Sequence, residues 1–189
     1  AGLLVVPPAA IGSGVAGAHV IFSEETQYQY ARVVQLRGGE RWLQLNEGVA
    51  VHSLLRPGSY LTGGYWDDLL MLPLSSAREV PRRIAILGDA AGTVARAYGH
   101  YFPTTLVDAV EIDGELTSIG RRLFGLGGPH LHTYTADARP WLAASEAHYD
   151  AIFPPLGLLA LAGLTPPEFD VTLCDENAND VIDFDVDAE

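Results

Sequence analysis

The stretch from Arg83 to Asp113 constrains the fold more than any other part of the chain. It opens with Ile84-Ala85-Ile86-Leu87, a short apolar run of the kind that forms a buried strand. Gly88-Asp89-Ala90-Ala91-Gly92-Thr93 follows, a turn of small residues, and then helix-compatible residues to Tyr101, closed by Pro103. A second apolar run, Leu106 to Ile112, carries Glu111 and is followed by Asp113. Strand, small-residue turn, helix, strand and terminal carboxylate is the order of a nucleoside-binding half-sheet. Gly88 and Gly92 allow a ligand to approach the backbone, and the helix start offers free N–H groups. A carboxylate about 20 residues beyond such glycines can accept both ribose hydroxyls, which singles out Glu111. The glycine pattern by itself, G-x-A-x-G, is a weak signal, and its spacing to Val110-Glu111-Ile112-Asp113 is what strengthens it.

The rest of the chain falls into place around that segment. From Val20 to His52 the pattern is β, with strands expected at 28–36, 41–45 and 49–52 and a hairpin turn at Arg37-Gly38-Gly39-Glu40. A helix is expected at 66–74. Strands and helices then alternate: strand 84–87, helix 92–101, strand 106–112, helix 115–123, strand 131–135, helix 139–145 and strand 149–153. That alternation implies an α/β fold with a parallel sheet, whose ligand edge lies at the strands' carboxyl ends. Asp137 precedes the last helix and fits its N-cap.

Charge excludes several function classes. The formal charge is −13, against a nucleic-acid partner, whose phosphates demand a basic surface. All 11 basic residues are arginines and all precede Pro140, so the C-terminal quarter is purely acidic. With no lysine, neither a Schiff base nor a P-loop lysine is available. The lone Cys174 excludes an internal disulfide, and a reduced, cytoplasmic setting is the expectation. His130 and His132 have the spacing of two metal ligands, but without a third ligand type they read as an exposed strand pair, and no metal is expected. The uncharged opening, Ala1 to Ser23, is broken by Pro7-Pro8 and glycines, and reads as a linker, an opening strand or the remnant of a membrane domain.

At this point the residues resemble a known family. Glu25-Thr26-Gln27-Tyr28-Gln29, Leu43 to Gly48 with His52-Ser53, and Leu61-Thr62-Gly63-Gly64-Tyr65-Trp66-Asp67 match the spermidine synthases, the polyamine aminopropyltransferases. The match continues through the glycine turn, Val110 to Asp113, Ala136-Asp137-Ala138-Arg139 and Tyr149 to Ile152, covering about residues 22–153. The resemblance implies a small N-terminal β-hairpin unit at 22–60 and a Rossmann-like domain at 61–153. The latter would be of the S-adenosylmethionine-dependent methyltransferase type, truncated on its C-terminal side, with a linker at 1–21 and an atypical acidic segment at 154–189. It implies decarboxylated S-adenosylmethionine, or S-adenosylmethionine, as co-substrate and a small polyamine such as putrescine as acceptor. Gln29, Gly88, Asp89, Gly92, Glu111, Ile112, Asp137 and Ala138 would bind the nucleoside, with Glu111 on the ribose and Asp137 on the adenine amine. Tyr65 and Asp67 would border the amine. A homodimer and a membrane domain in the parent protein are the assemblies the resemblance allows.

The pattern departs from the family at two points. The aspartate expected in the first turn is Ala91, and the catalytic aspartate expected after the last strand falls at Phe153-Pro154-Pro155, so the catalytic residue is unassigned and Pro155 occupies its place. Beyond Phe153 the chain instead resembles the opening of cobalamin-binding domains of radical enzymes, with a helix expected at 156–164 and a strand at 170–174. Three readings stay open: an aminopropyltransferase, a methyltransferase, and a non-catalytic truncated nucleoside-binding domain.

Overall fold

The computed structural model describes residues 15–46, 50–77 and 79–154. The expectations for 156–164 and 170–174, the cobalamin-like opening and Pro155 lie outside the described residues. Within the unit that ends at Phe153, the first four strands form an antiparallel meander in sequence order. They are β1 (His19–Glu25), β2 (Tyr30–Gln35), β3 (Arg41–Leu45) and β4 (Val51–Leu55). After α1 (Asp68–Ala77) the chain alternates β5 (Arg83–Leu87), α2 (Thr93–Tyr101), β6 (Leu106–Glu111), α3 (Gly114–Ile119), β7 (Leu131–Thr135), α4 (Ala138–Ala143) and β8 (Ala151–Phe153). These last four strands pair in parallel in the order β7-β6-β5-β8. The chain steps outward from β5 to β7 and then returns across β5 to place β8 on its other side. Such a reversal opens a crevice at the carboxyl ends of the strands. The fold is thus α/β, a β-hairpin sheet joined to a Rossmann-like parallel sheet.

The meander is seated against the Rossmann-like part by one apolar cluster. Ala31, Val33 and Leu43 pack with Ala91 of the glycine turn and with Leu116, Ile119 and Phe124, all essentially inaccessible to solvent. Alternation on β2 and β3 sends these side chains to the inner face of the sheet. Hydrogen bonds fix the register of this packing: Ser53 Oγ on β4 accepts from the Ala91 N–H at 2.9 Å, and Thr93 Oγ1 accepts from the Leu54 N–H at 2.8 Å.

The structure differs from the sequence-based expectation where side chains take over backbone pairing. Strand 28–36 begins only at Tyr30, because Thr26 Oγ1 accepts from the N–H groups of Tyr28 and Gln29 and the Thr26 N–H donates to the Gln29 carbonyl, which closes a turn there. The helix expected at 66–74 runs from Asp68 to Ala77 and passes through Pro73. Proline has no N–H for the carbonyl four residues earlier. That carbonyl, Leu69, instead accepts from the buried Tyr98 hydroxyl at 3.0 Å. The helix expected at 115–123 ends as α3 at Ile119 and continues as one π-helical turn, Gly120–Phe124. Among the described residues, no helix is long and apolar enough to cross a membrane.

Gly120 sits where that π-helical turn touches the glycine turn. A Cβ there would lie 2.9 Å from the Ala91 carbonyl oxygen and 2.9 Å from Leu126 Cδ2. Alanine is the better helix former by about 1 kcal/mol. Nevertheless Gly120→Ala is expected to destabilise the fold, by about 1–3 kcal/mol for overpacking against backbone. Urea denaturation measures this, and a neutral or stabilised variant would show that the contact yields freely.

Candidate functional site

The site is built at the carboxyl ends of β5, β6 and β7. Gly88 (φ 73°), Ala90 (φ 52°) and Gly92 (φ 88°) all take left-handed backbone conformations, so the turn between β5 and α2 doubles back tightly. For Ala90 this conformation is uncommon and is held by its neighbours. The N–H groups of Gly88 and Asp89 both donate to the Val110 carbonyl, at 2.8 and 3.2 Å. At Gly92 a side chain would collide with Leu126 Cδ1, 2.3 Å away.

Glu111 is the hub of this edge. Its carboxylate accepts the Ala90 N–H at 2.9 Å on one oxygen and the Asp113 N–H at 3.0 Å on the other. Its backbone carbonyl accepts from the Ala136 N–H beyond β7. One residue therefore ties together the glycine turn, the end of β6 and the end of β7. Burial raises the Glu111 pKa, and the hydrogen bonds from Asp113 and Ala90 oppose that shift. Asp89 is buried beside it, 8% exposed, and the Ala95 backbone N–H near the start of α2 favours its charged form. Desolvation, and then the Glu111 charge, push the Asp89 carboxyl well above the usual carboxylate range.

Asp113 extends the site toward the meander. One carboxylate oxygen caps α3 by accepting the Glu115 N–H at 3.1 Å. The other accepts from the Thr26 hydroxyl at 2.6 Å and from Gln29 Nε2 at 3.4 Å. The structure thus brings Gln29 to this edge through Asp113, from the β1–β2 turn. Ile112, between the two carboxylates, is 41% exposed and offers an apolar surface beside Glu111. At the end of β7, Asp137 caps α4, whose first residue is Ala138, by accepting the Arg139 N–H at 3.0 Å. The Arg139 guanidinium lies 3.3 Å from the same carboxylate and holds it below the usual range.

Tyr65 and Asp67 occupy a separate loop. Asp67 accepts from the Thr62 N–H, the Thr62 hydroxyl and the Gly63 N–H, so its carboxylate organises the turn 62–67. Tyr65 stacks on Trp66 at 4.2 Å and is half exposed. Ala91, where the family pattern places an aspartate, has no exposed surface and belongs to the apolar cluster. His132 does not pair with His130 but faces Asp108 at 3.2 Å. Asp108 is inaccessible on the opposite face of β6 and also receives Arg83 and Tyr149. Among the described residues there is no group of three or more His, Cys, Asp or Glu able to hold a metal ion.

From the sequence, Asp113 reads with Glu111 as the acidic end of the strand and not as a helix cap. Its position directly before a helix is an N-cap signal. Its partner Thr26, 87 residues away, and the Ser53–Ala91 contact carry no local signal at all.

Comparison with known proteins gives the following. No family model matches the chain. A probable polyamine aminopropyl transferase from Bifidobacterium longum is 31% identical over 134 residues, which is 71% of this chain and 29% of that protein. A probable spermidine synthase from Corynebacterium glutamicum superposes with a TM-score of 0.56 at 20% identity, covering 65% of this chain and 47% of that one. A spermidine synthase in complex with the transition-state analogue AdoDATO superposes at 0.57 and 16% identity, covering 74% and 48%. The chain spans less than a third of its curated relative and about half of each solved structure. Within that span the sequence is similar to that of the aminopropyl transferase, and the fold is similar to that of the spermidine synthases.

The raised Asp89 pKa has a stability consequence. A carboxyl whose folded pKa lies above its unfolded value contributes stability in full below about pH 4, and loses it as pH rises through the folded value. Asn keeps the size and shape of the side chain without the charge. Asp89→Asn is therefore expected to raise Tm by a few degrees at pH 7–8 and to leave it unchanged near pH 4, measured by thermal unfolding across that range. An equal Tm difference at both pH values would contradict the assignment.

Proposed function

We propose that this chain is the nucleoside-binding part of an aminopropyltransferase of the spermidine synthase type. The observation that carries the reading is the buried Glu111 carboxylate, held by two backbone N–H groups at the mouth of the glycine turn. A carboxylate so oriented is a bidentate acceptor for a ribose diol. Asp137, at the next strand end, accepts from the adenine amine alongside Arg139, since a carboxylate has acceptor sites for both. Ile112 supplies an apolar surface for the ring, Ala138 and the turn residues Gly88, Asp89 and Gly92 shape the backbone around the nucleoside, and Gln29 closes the pocket from the meander.

In this reading the co-substrate is decarboxylated S-adenosylmethionine and the acceptor a polyamine such as putrescine. A neutral amine nitrogen attacks the aminopropyl carbon bonded to the sulfonium. The new C–N bond forms as the C–S bond breaks, methylthioadenosine leaves with the sulfur electron pair, and the product nitrogen sheds a proton. Both reactants are cations, and the acidic edge of Asp89, Glu111, Asp113 and Asp137 draws them in. Tyr65 and Asp67 are assigned to the amine from the family pattern alone, with the Asp67 carboxylate also engaged by Thr62 and Gly63. The group that accepts the proton is unassigned, because its expected place is Pro155. A cytoplasmic setting and a homodimer accompany this reading, and a membrane domain in the parent protein is compatible with it.

A second reading is a methyltransferase with S-adenosylmethionine in the same pocket, favoured by Ala91 in place of the family's aspartate. Product analysis by mass spectrometry, with putrescine and each co-substrate, separates the two. Aminopropylated putrescine is the expected product, whereas methyl transfer without it would overturn the first reading.

Binding is tested apart from turnover, by calorimetry with methylthioadenosine. Saturable binding is expected, weakened in Glu111→Gln by about 1.5–3 kcal/mol, the worth of a charge-assisted hydrogen bond, or roughly ten- to hundredfold. Absence of binding to the folded wild-type chain would remove the basis of both readings.

A further inference from the structure

A cleft of about 460 Å³ lies along α2, between its outer face and the segment that follows β4. Its polar and aromatic walls are Arg56, Ser59, Tyr60, Arg96, His100 and Tyr101. Arg96 and His100 are four residues apart on α2, so both project from the same helical face. Tyr60 stacks flat on His100, with ring centres 4.0 Å apart and planes 8° from parallel. Tyr101 stands edge-on to both rings. The Arg96 guanidinium carbon sits 5.3 Å from the centre of the Tyr60 ring. The rings thus hold the two basic groups in fixed positions rather than leaving them to sample solvent.

The charge of this cleft is not balanced internally. Arg96 Nε is buried and has no hydrogen-bond partner, and no carboxylate lies within ion-pair distance of Arg96 among the described residues. A buried, unsatisfied N–H is costly, so its persistence calls for an explanation. Arg56 pairs through its Nε with Glu40 at 3.2 Å, which takes only part of its donor capacity. Asp89 acts on Arg96 electrostatically from the head of the helix without reaching it. In a chain of net charge −13, with an acidic nucleoside edge, this is a locally basic concavity. It repels a polyamine and is suited to an oxyanion, because a guanidinium offers paired donors matched to carboxylate and phosphate.

We propose that this cleft is a second ligand site, which takes a small organic anion through a phosphate or carboxylate group bound by Arg96, Arg56 and His100. The volume exceeds that of a bare oxyanion, and the exposed edges of Tyr60 and Tyr101 receive the remainder of the molecule. The site stands independently of the function proposed above: it shares no residue with the nucleoside pocket.

Two probes, inorganic phosphate and benzoate, test it on the full chain in 150 mM chloride. The readouts are calorimetry and the NMR resonances of the Arg96 Nε–H and the His100 ring. Saturable binding of either probe is expected, with shifts of both resonances; phosphate alone would identify a phosphate site and benzoate alone a carboxylate site. Binding is expected to fall at least tenfold in Arg96→Gln. In His100→Gln, an exposed position where folding is not at stake, it should fall several-fold. Glu111→Gln should leave it unchanged, which keeps this test separate from that of the nucleoside pocket. No saturable binding of either probe, or binding indifferent to both cleft variants, overturns the proposal.

Discussion

The carboxylate of Glu111 is the interaction on which the rest of this fold's working edge depends. Its two oxygens accept from Ala90 and Asp113, and its carbonyl accepts from Ala136. The first bond anchors the turn whose residue Ala90 occupies an unfavourable left-handed conformation. The second orients Asp113, whose own carboxylate then caps α3 and receives Thr26 and Gln29 from the meander. A chain of hydrogen bonds thus runs from the parallel sheet through one acidic pair to the antiparallel sheet. The apolar cluster of Ala31, Val33, Leu43, Ala91, Leu116, Ile119 and Phe124 presses the same two parts together from beneath.

That arrangement concentrates negative charge in a poorly solvated place. Asp89 and Glu111 are both 8% exposed, and each is pushed up by burial. Charge burial of this kind is costly and gathers at sites where it serves binding. In the function proposed above, the positive charge of a sulfonium nucleoside offsets it. Basic groups sit elsewhere: Arg96 and His100 lie further down α2, so the one helix has an acidic head and a basic flank.

Much of this was legible in the sequence. The apolar runs at 84–87 and 106–112 and the small-residue turn between them identified the βαβ unit, because a buried parallel strand must be continuously apolar and a tight turn needs left-handed backbone. Glu111 was legible by its distance from the glycines, and Asp137 as a helix cap by its place before Ala138. Tyr65 and Asp67 were read as lining a pocket. In the structure Asp67 spends its acceptors on its own loop, a local Asx arrangement that a family pattern does not reveal. Gln29 was read as a strand residue that reaches the ligand, but it lies in the turn that Thr26 closes.

The sequence by itself determined the alternation of strands and helices, the position of the glycine turn and the carboxylate that stands at its mouth. These follow from periodicity and from backbone conformations open to few residue types, and both are written locally. Tertiary structure decided what no local rule contains. It joined Thr26 to Asp113 across 87 residues, Ser53 to Ala91 across 38 and Tyr98 to the Leu69 carbonyl that Pro73 leaves bare. It also turned Arg96 and His100 toward Tyr60 to make a basic cleft in an acidic chain. Such partners are chosen by packing, and by the need of each buried polar group to find its complement wherever the fold brings one within reach.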